Sequence, residues 1–169
     1  MTAPGMKVED RFWLHVDKNG PIPPDFPELG RCWTWTMGVD RKGYGVFHPH
    51  GDNMQAHRYS YELANGSIPD GAVIDHKCYN PPCVRPSHLH AVSSKQNNEN
   101  RHGANRNNHS SGIRGVTWHK GASKWAASIM HQRKNVYLGL YIDIHEAENA
   151  CIEARQKIFS NSRLDEARP

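Results

Sequence analysis

The chain has 169 residues, 21 Lys+Arg against 17 Asp+Glu for a net charge of +4, and only 37% hydrophobic residues, with a mean hydropathy of −0.80. That is length for one ordinary domain or two small ones, and no apolar run approaches the ~20 residues of a membrane helix. Fourteen Gly and eleven Pro interrupt every periodic stretch, which excludes coiled-coil and collagen-like chains, and five Trp, six Tyr and four Phe exclude a chain that never packs.

Residues 1–30 are rich in Pro and Gly, with one short helix expected over Val8–Val16 ahead of NGPIPPDFPELG. The start, MTAPGMKVEDRFW, lacks the charged end and apolar core of a secretory signal, so a cytoplasmic protein is expected. CWTWTMGVDRKGYGVFHPHG reads as two strands, Cys32–Met37 and Tyr44–Phe47, joined by a turn at Asp40–Gly43. AHRYSYELANG gives a helix over His57–Ala64 that ends at Asn65-Gly66. A brief strand follows at Ala72–His76. KCYNPPCVRPSH, broken by three prolines, is irregular. Leu89–Val92 is another strand, and SSKQNNENRHG a helix opened by Ser93 or Ser94 and closed by Gly103.

GANRNNHSSG is polar enough for a linker, placed at 104–109 between a module at 1–103 and a second at 110–162, with 163–169 as a tail. The second module reads as strands Arg114–Trp118, Trp125–His131 and Val136–Tyr141, with QRKN as a turn. A helix over Ile144–Phe159 follows, with Asp143 as N-cap and Glu146 three residues on. Ile144, Ala147, Ala150, Cys151, Ala154 and Ile158 form its apolar stripe, which makes Cys151 a core residue. One sheet face is covered by the helix and the other is open.

Charge is unevenly spread. Residues 1–100 carry 10 Lys+Arg and 11 Asp+Glu, residues 101–169 carry 11 and 6, and no acid lies between Glu99 and Asp143. That stretch interleaves Arg101, Arg106, Arg114, Lys120, Lys124, Arg133 and Lys134 with Trp118, Trp125, Tyr137 and Tyr141. The pattern suits a polyanion such as nucleic acid, although a solvated basic face would look the same.

Cys78, Cys83 and His88 are each separated by four residues on the proline-stiffened loop. Zinc binds thiolate and imidazole tetrahedrally, and structural sites use four ligands. The fourth must come from elsewhere, and Cys32 is the one cysteine left outside the second module. Two plainer roles compete: cysteines as small buried hydrophobes, and His88 as a cap on the loop.

Asp75-His76 stands immediately before this loop, and the helix carrying Asn97 comes after it. Phosphodiester hydrolysis needs a base near neutrality, which histidine supplies. It also needs a hard cation on the phosphate, and magnesium takes a carboxylate and neutral oxygens such as Asp75 and an Asn carbonyl. Arg58 could hold the phosphate. Singly, each has a plain explanation as a turn, cap or exposed helix residue.

His76-x-Cys78-x4-Cys83-x4-His88-x8-Asn97 resembles the core of the His-Cys box homing endonucleases, and Asp75-His76 followed by Asn97 resembles the phage HNH homing endonucleases. Both are ββα-metal nucleases. Cys32-Trp33-Thr34-Trp35, Gly43-Tyr44-Gly45, Ala56-His57-Arg58 and Asn65-Gly66 extend the likeness over residues 8–102. The resemblance implies His76 as general base, Asp75 and Asn97 as ligands of Mg2+ (or Mn2+), Arg58 on the phosphate, and a structural Zn2+ on Cys32, Cys78, Cys83 and His88. Asn98 and Asn100 are close competitors for Asn97. His88 stands before Leu89 where HNH motifs place a structural Asn.

Ile113-Arg114-Gly115-Val116, Lys124 through Ile129, Val136 through Gly139 and the alanine-rich helix resemble the plant ethylene-response-factor type of DNA-binding domain. That likeness implies a sheet face in the major groove. Arg114, Trp118, Lys124, Ser128 and Tyr137 would face DNA, with Arg133 and Lys134 adding to the basic surface; Thr117 departs from the family's usual Arg.

The expected fold is α+β: a zinc-stiffened ββα-metal nuclease module, then a three-stranded antiparallel sheet with one helix. The expected function is a metal-dependent, site-directed, homing-type endonuclease of double-stranded DNA. It would leave 5′-phosphate and 3′-hydroxyl ends, acting as monomer or homodimer in a phage or bacterial host cytoplasm. Two alternatives stay open: a DNA-binding regulator with an inactive nuclease centre, and a modification-sensing restriction enzyme.

Overall fold

The structure, a computed structural model, describes residues 5–101 and 103–166; of the expected C-terminal tail, residues 167–169 lie outside them. It divides into two compact units, Met1–Ser94 and Lys95–Pro169. The second unit therefore starts at Lys95, ahead of the expected linker. The fold is α+β, with small antiparallel sheets and short helices.

In the first unit, helix α1 (Val8–Trp13) and strand β1 (Val16–Asp17) replace the single expected helix. Strand β2 (Thr34–Trp35) pairs with β1, in register Val16 with Trp35, and β3 (Val46–Phe47) pairs with β4 (Met54–Gln55). The expected hairpin between the Cys32 and Tyr44 segments is thus corrected. Its turn exists, with Asp40 N–H donating to Tyr44 O at 2.8 Å, but the flanking segments join other partners and share only a bridge at Val39–Gly45. The reason is packing. Trp35 lies buried against Phe12, rings stacked 5.1 Å apart, and a Cβ on Gly45 would approach its Cδ1 to 2.6 Å. Phe12, Trp35, Phe47, Ala56 and Val84 make the core, ringed by Val8, Trp13, Val16, Trp33 and Tyr59.

Helix α2 (Ala56–Asn65) packs against β5 (Ala72–His76) and β6 (Leu89–Ser93). Those two strands pair antiparallel, with Asp75 opposite His90 and His76 opposite Leu89. The loop between them, expected to be irregular, holds one 3-10 turn at Pro86–His88, with Pro86 at its start where a missing N–H costs nothing. Helix α3 (Ser94–Glu99) comes next.

In the second unit, β7 (Val116–His119), β8 (Lys124–His131) and β9 (Lys134–Tyr141) form one antiparallel sheet in that order. Helix α4 (Ile144–Ile158) packs on all three strands. Asp143 caps it as expected, accepting from the backbone N–H groups of His145 and Glu146. Gln132 and Arg133, both with positive φ, form the two-residue hairpin turn. Gly115 is required where it stands: its φ is +89°, and a Cβ would come within 2.5 Å of Ser128 O. Val116, Ala127, Ile129, Ala147 and Cys151 are the buried core, so Cys151 is a core residue as expected.

Helix α5 (Arg163–Glu166) was not anticipated. It is tied down by buried Arg155, whose Nε and Nη2 donate to Asp165 at 2.8 Å each; Ser162 Oγ also donates to Asp165. The expected linker is equally fastened. Asn108 Nδ2 donates to the carbonyls of Ile113 and Val116, each at 2.8 Å.

Candidate metal and nucleic-acid site

Backbone pairing brings distant cysteines together. Val84 N–H donates to Trp33 O at 2.7 Å, and Trp35 N–H to Pro82 O at 2.9 Å. The Cys32 segment therefore runs beside the Cys83 segment. Lys77 N–H donates to His88 O at 2.8 Å, closing the loop at its base. The donor atoms of Cys32, Cys78, Cys83 and His88 all lie within 4.8 Å of one another, and all four residues are buried.

His88 Nδ1 stands 3.7 Å from Cys32 Sγ and 3.6 Å from Cys83 Sγ. A zinc tetrahedron built from its usual bond lengths has an S···N edge of about 3.6 Å, so the group fits zinc. His88 Nε2 lies 2.9 Å from Leu29 O. A carbonyl only accepts, so that nitrogen carries the proton and Nδ1 is left as donor, as outer partners of metal-bound histidines commonly arrange. Without an ion the thiols cannot ionise together. The hydrogen bond with Cys83 and burial push Cys78 up, while the same bond pulls Cys83 down to about 5. A bound cation removes that conflict by deprotonating its thiols.

Beside this cluster sits His76, buried at the end of β5. Its Nε2 lies 2.9 Å from Cys83 O. By the same reasoning Nε2 is protonated and Nδ1 holds the lone pair. Burial pushes the His76 pKa down, so the ring is neutral at physiological pH. Its ring packs 4.8 Å from that of His57, and Tyr44 lies 5.1 and 5.7 Å from the two. Among the described residues His57 Nδ1 is buried without a hydrogen-bond partner. Burial first, then the neighbouring His76 and Arg58, lowers its pKa to about 3.

Asp75 Oδ1 accepts from His76 N–H at 2.8 Å, and its Oδ2 lies 3.2 Å from His90 Nε2. Arg58 is half-buried on α2. The sequence reading missed Tyr44, His57 and His90. The first two sat inside quoted text but carried no spacing to a reactive group. His90 could have been found from the hairpin register, which sets it opposite Asp75.

In the second unit, Asn97 and Asn98 are exposed on α3, whereas Asn100 is buried and its side-chain oxygen accepts from Arg163 N–H at 3.2 Å. Arg114 is occupied: its guanidinium donates to the carbonyls of Glu99 at 3.0 Å and Arg101 at 2.9 Å, and stacks on Phe159. Side chains alternate along a strand and directly paired residues share a face. Lys124, paired with His119, and Ser128, paired with Tyr137, therefore lie on the face away from α4. Trp118 pairs with Trp125 on the same face as Val116 and Ala127, the helix side. This corrects its expected place on the open face. The strand starts at Val116, not Arg114, and Val116 is the buried member of the alternation. Arg133 and Lys134 are exposed at the hairpin tip.

Comparison with known proteins bears on the first of these groups. Residues 54–99 match the family model described as HNH endonuclease. This stretch is therefore similar to HNH endonucleases. Protein 7.7 of Escherichia phage T7 is 41% identical over 68 residues, covering 40% of this chain and 52% of that protein. Protein 2.8 of the same phage is 32% identical over 68 residues, covering 39% and 45%. The chain thus spans about half the length of these curated relatives. No solved structure matches. The family match ends at Glu99, so the ethylene-response-factor likeness of residues 110–162 gains nothing from it. Among the described residues no helix is long and apolar enough to cross a membrane.

Proposed function

We propose that the protein is a metal-dependent, homing-type DNA endonuclease in which His76 is the general base. One observation carries this reading: a buried, neutral imidazole whose Nε2 is committed to Cys83 O, leaving Nδ1 as the base, one residue from Asp75 within an HNH domain. His76 Nδ1 takes a proton from the water that attacks phosphorus. Arg58 holds the scissile phosphate. Asp75 and Asn97 offer hard oxygen donors to a divalent cation such as Mg2+, Asn97 on the strength of its spacing within the matched stretch. When bound, that ion polarises the phosphate and stabilises the departing 3′ oxygen, giving 5′-phosphate and 3′-hydroxyl ends. Cys32, Cys78, Cys83 and His88 hold zinc and so fix the carbonyl that orients His76. Lys124, Ser128 and Tyr137 on the open sheet face, with Arg133 and Lys134 at its tip, give the second unit a basic surface for duplex DNA in the host cytoplasm.

A supercoiled-plasmid assay with magnesium, and EDTA as control, tests the reading. Metal-dependent nicked circles support one active site cutting one strand at a time, and direct linear product a homodimer. His76→Ala should remove cleavage while DNA is still bound. Cleavage by His76→Ala at the wild-type rate refutes the base assignment.

A further inference from the structure

We propose that His90 is a ligand of the catalytic cation, so that the site takes first-row transition ions such as Mn2+ more readily than Mg2+. The inference rests on the nuclease reading above and deepens it. Asp75 and His90 are directly opposite in the β5–β6 ladder, which puts both side chains on one side of the hairpin. Their ends meet, with Asp75 Oδ2 3.2 Å from His90 Nε2. Two donors each about 2.1 Å from an ion at a right angle stand about 3.0 Å apart, so this spacing is that of neighbouring ligands on one octahedral ion.

The carboxylate is already oriented for the purpose. Its other oxygen, Oδ1, accepts from His76 N–H at 2.8 Å, which turns Oδ2 towards His90. Access is graded as a metal site needs. The Asp75 side chain is 12% exposed and that of His90 26%, so a cation from solvent reaches both while the carboxylate is largely shielded.

Donor chemistry then sets the preference. Magnesium is a hard ion that takes oxygen and keeps its waters. Imidazole suits ions further along the first transition row, and affinity for a mixed nitrogen and oxygen site rises in that direction. A histidine beside the carboxylate is therefore a selectivity device. A neutral oxygen donor at position 90 would serve magnesium as well or better.

The test uses the full chain carrying its zinc, with Mn2+ as probe. Binding is followed by loss of the free-ion EPR signal, and electron spin-echo modulation reports any 14N nucleus bound to the ion. Wild type should show modulation from a directly bound imidazole. His90→Ala should lose it and weaken Mn2+ binding about tenfold or more. His90→Gln, which keeps a hydrogen-bonding side chain beside Asp75, should still bind Mn2+ and Mg2+, lose the modulation, and shift the Mn2+:Mg2+ affinity ratio towards magnesium. His76→Ala should retain the modulation.

Modulation that persists in both His90 variants, or is absent from a wild type that binds Mn2+ and cuts DNA, overturns the proposal and leaves His90 only steadying the Asp75 carboxylate. Failure of the underlying reading looks different: no metal-dependent cleavage and no Mn2+ binding even in wild type.

Discussion

Acidification should destabilise the first unit through His57, and the size of the effect follows from its burial. The ring is packed between Tyr44 and His76, and its pKa is lowered from 6.5 to about 3. Below pH 6.5 the unfolded chain therefore binds a proton that the folded chain refuses. Stability rises with pH wherever the unfolded state holds more protons, so it is complete above 6.5 and falls as pH drops towards 3. For these two values the loss between pH 8 and pH 5 is about 2 kcal/mol, approaching about 1.4 kcal/mol per further unit. His76 is lowered in the same direction and adds to the slope. The assay is urea denaturation of zinc-saturated protein across pH 5–8, for wild type and His57→Phe. Phenylalanine keeps the ring contacts, removes the titration and removes the unpartnered Nδ1. The variant should hold its stability at pH 5 better than wild type by about 2 kcal/mol. Zinc loss in acid affects both chains, so the difference between them is the readout. Identical slopes would refute the argument.

Zinc removal by a strong chelator should collapse the Cys32–His88 loop and its tryptophan environment, reversibly on adding zinc back. Among the described residues, Leu29 is the one partly buried apolar residue packed against the cysteine cluster, while zinc in small peptides contributes about 10–16 kcal/mol; zinc-free protein with an unchanged melting temperature would count against the site. Asp165→Ala should cost about 3–5 kcal/mol in chemical denaturation, because it leaves Arg155 charged and buried; a cost below 1 kcal/mol would mean the ion pair is wet. If Lys124, Arg133 and Lys134 each contact phosphate, replacing all three with Ala should reduce the log–log salt slope of DNA binding by about 2–3. An unchanged slope would move the DNA surface elsewhere.

Local patterns carried much of the fold. Ala72–His76 was legible as a strand because turn residues bound a short β-branched run, and the ends of the second-unit sheet differ by only a few residues from the expected ones. The apolar stripe of α4 was legible from its 3.6-residue spacing, apart from Ile158, which is exposed, and Ile152, which is buried in its place. Pairing in the first unit was not legible. Two-residue strands carry no periodicity, and Trp35 goes where Gly45 gives it room. The cluster of Cys32, Cys78, Cys83 and His88, which could hold zinc, was legible from the four-residue spacing of the last three, with Cys32 left by elimination. Arg114 was misleading for a physical reason: an arginine in a basic stretch looks the same in sequence whether it faces solvent or donates to the carbonyls closing a helix, as it does here at α3.

Cys83 joins the two halves of the candidate site. Its sulfur belongs to the metal cluster and its carbonyl accepts from His76. Either role alone has an ordinary substitute: a serine or water could accept from an imidazole, and other loops hold zinc. Sharing one residue removes the freedom between them. Backbone bonds to the Cys32 segment already hold this part of the loop, with Val84 N–H on Trp33 O and Trp35 N–H on Pro82 O, and an ion on the sulfur would add a second restraint on the carbonyl that fixes the His76 tautomer. With the sulfur held on a tetrahedral ion, the carbonyl two bonds from the same Cα is held as well. On the proposed reading, the base would be oriented jointly by metal binding and by this backbone pairing rather than by a large core. Such an arrangement would let a small unit, with five buried residues in its main apolar cluster, position a base through a loop whose order is one 3-10 turn and a bridge from Cys83 to Thr34.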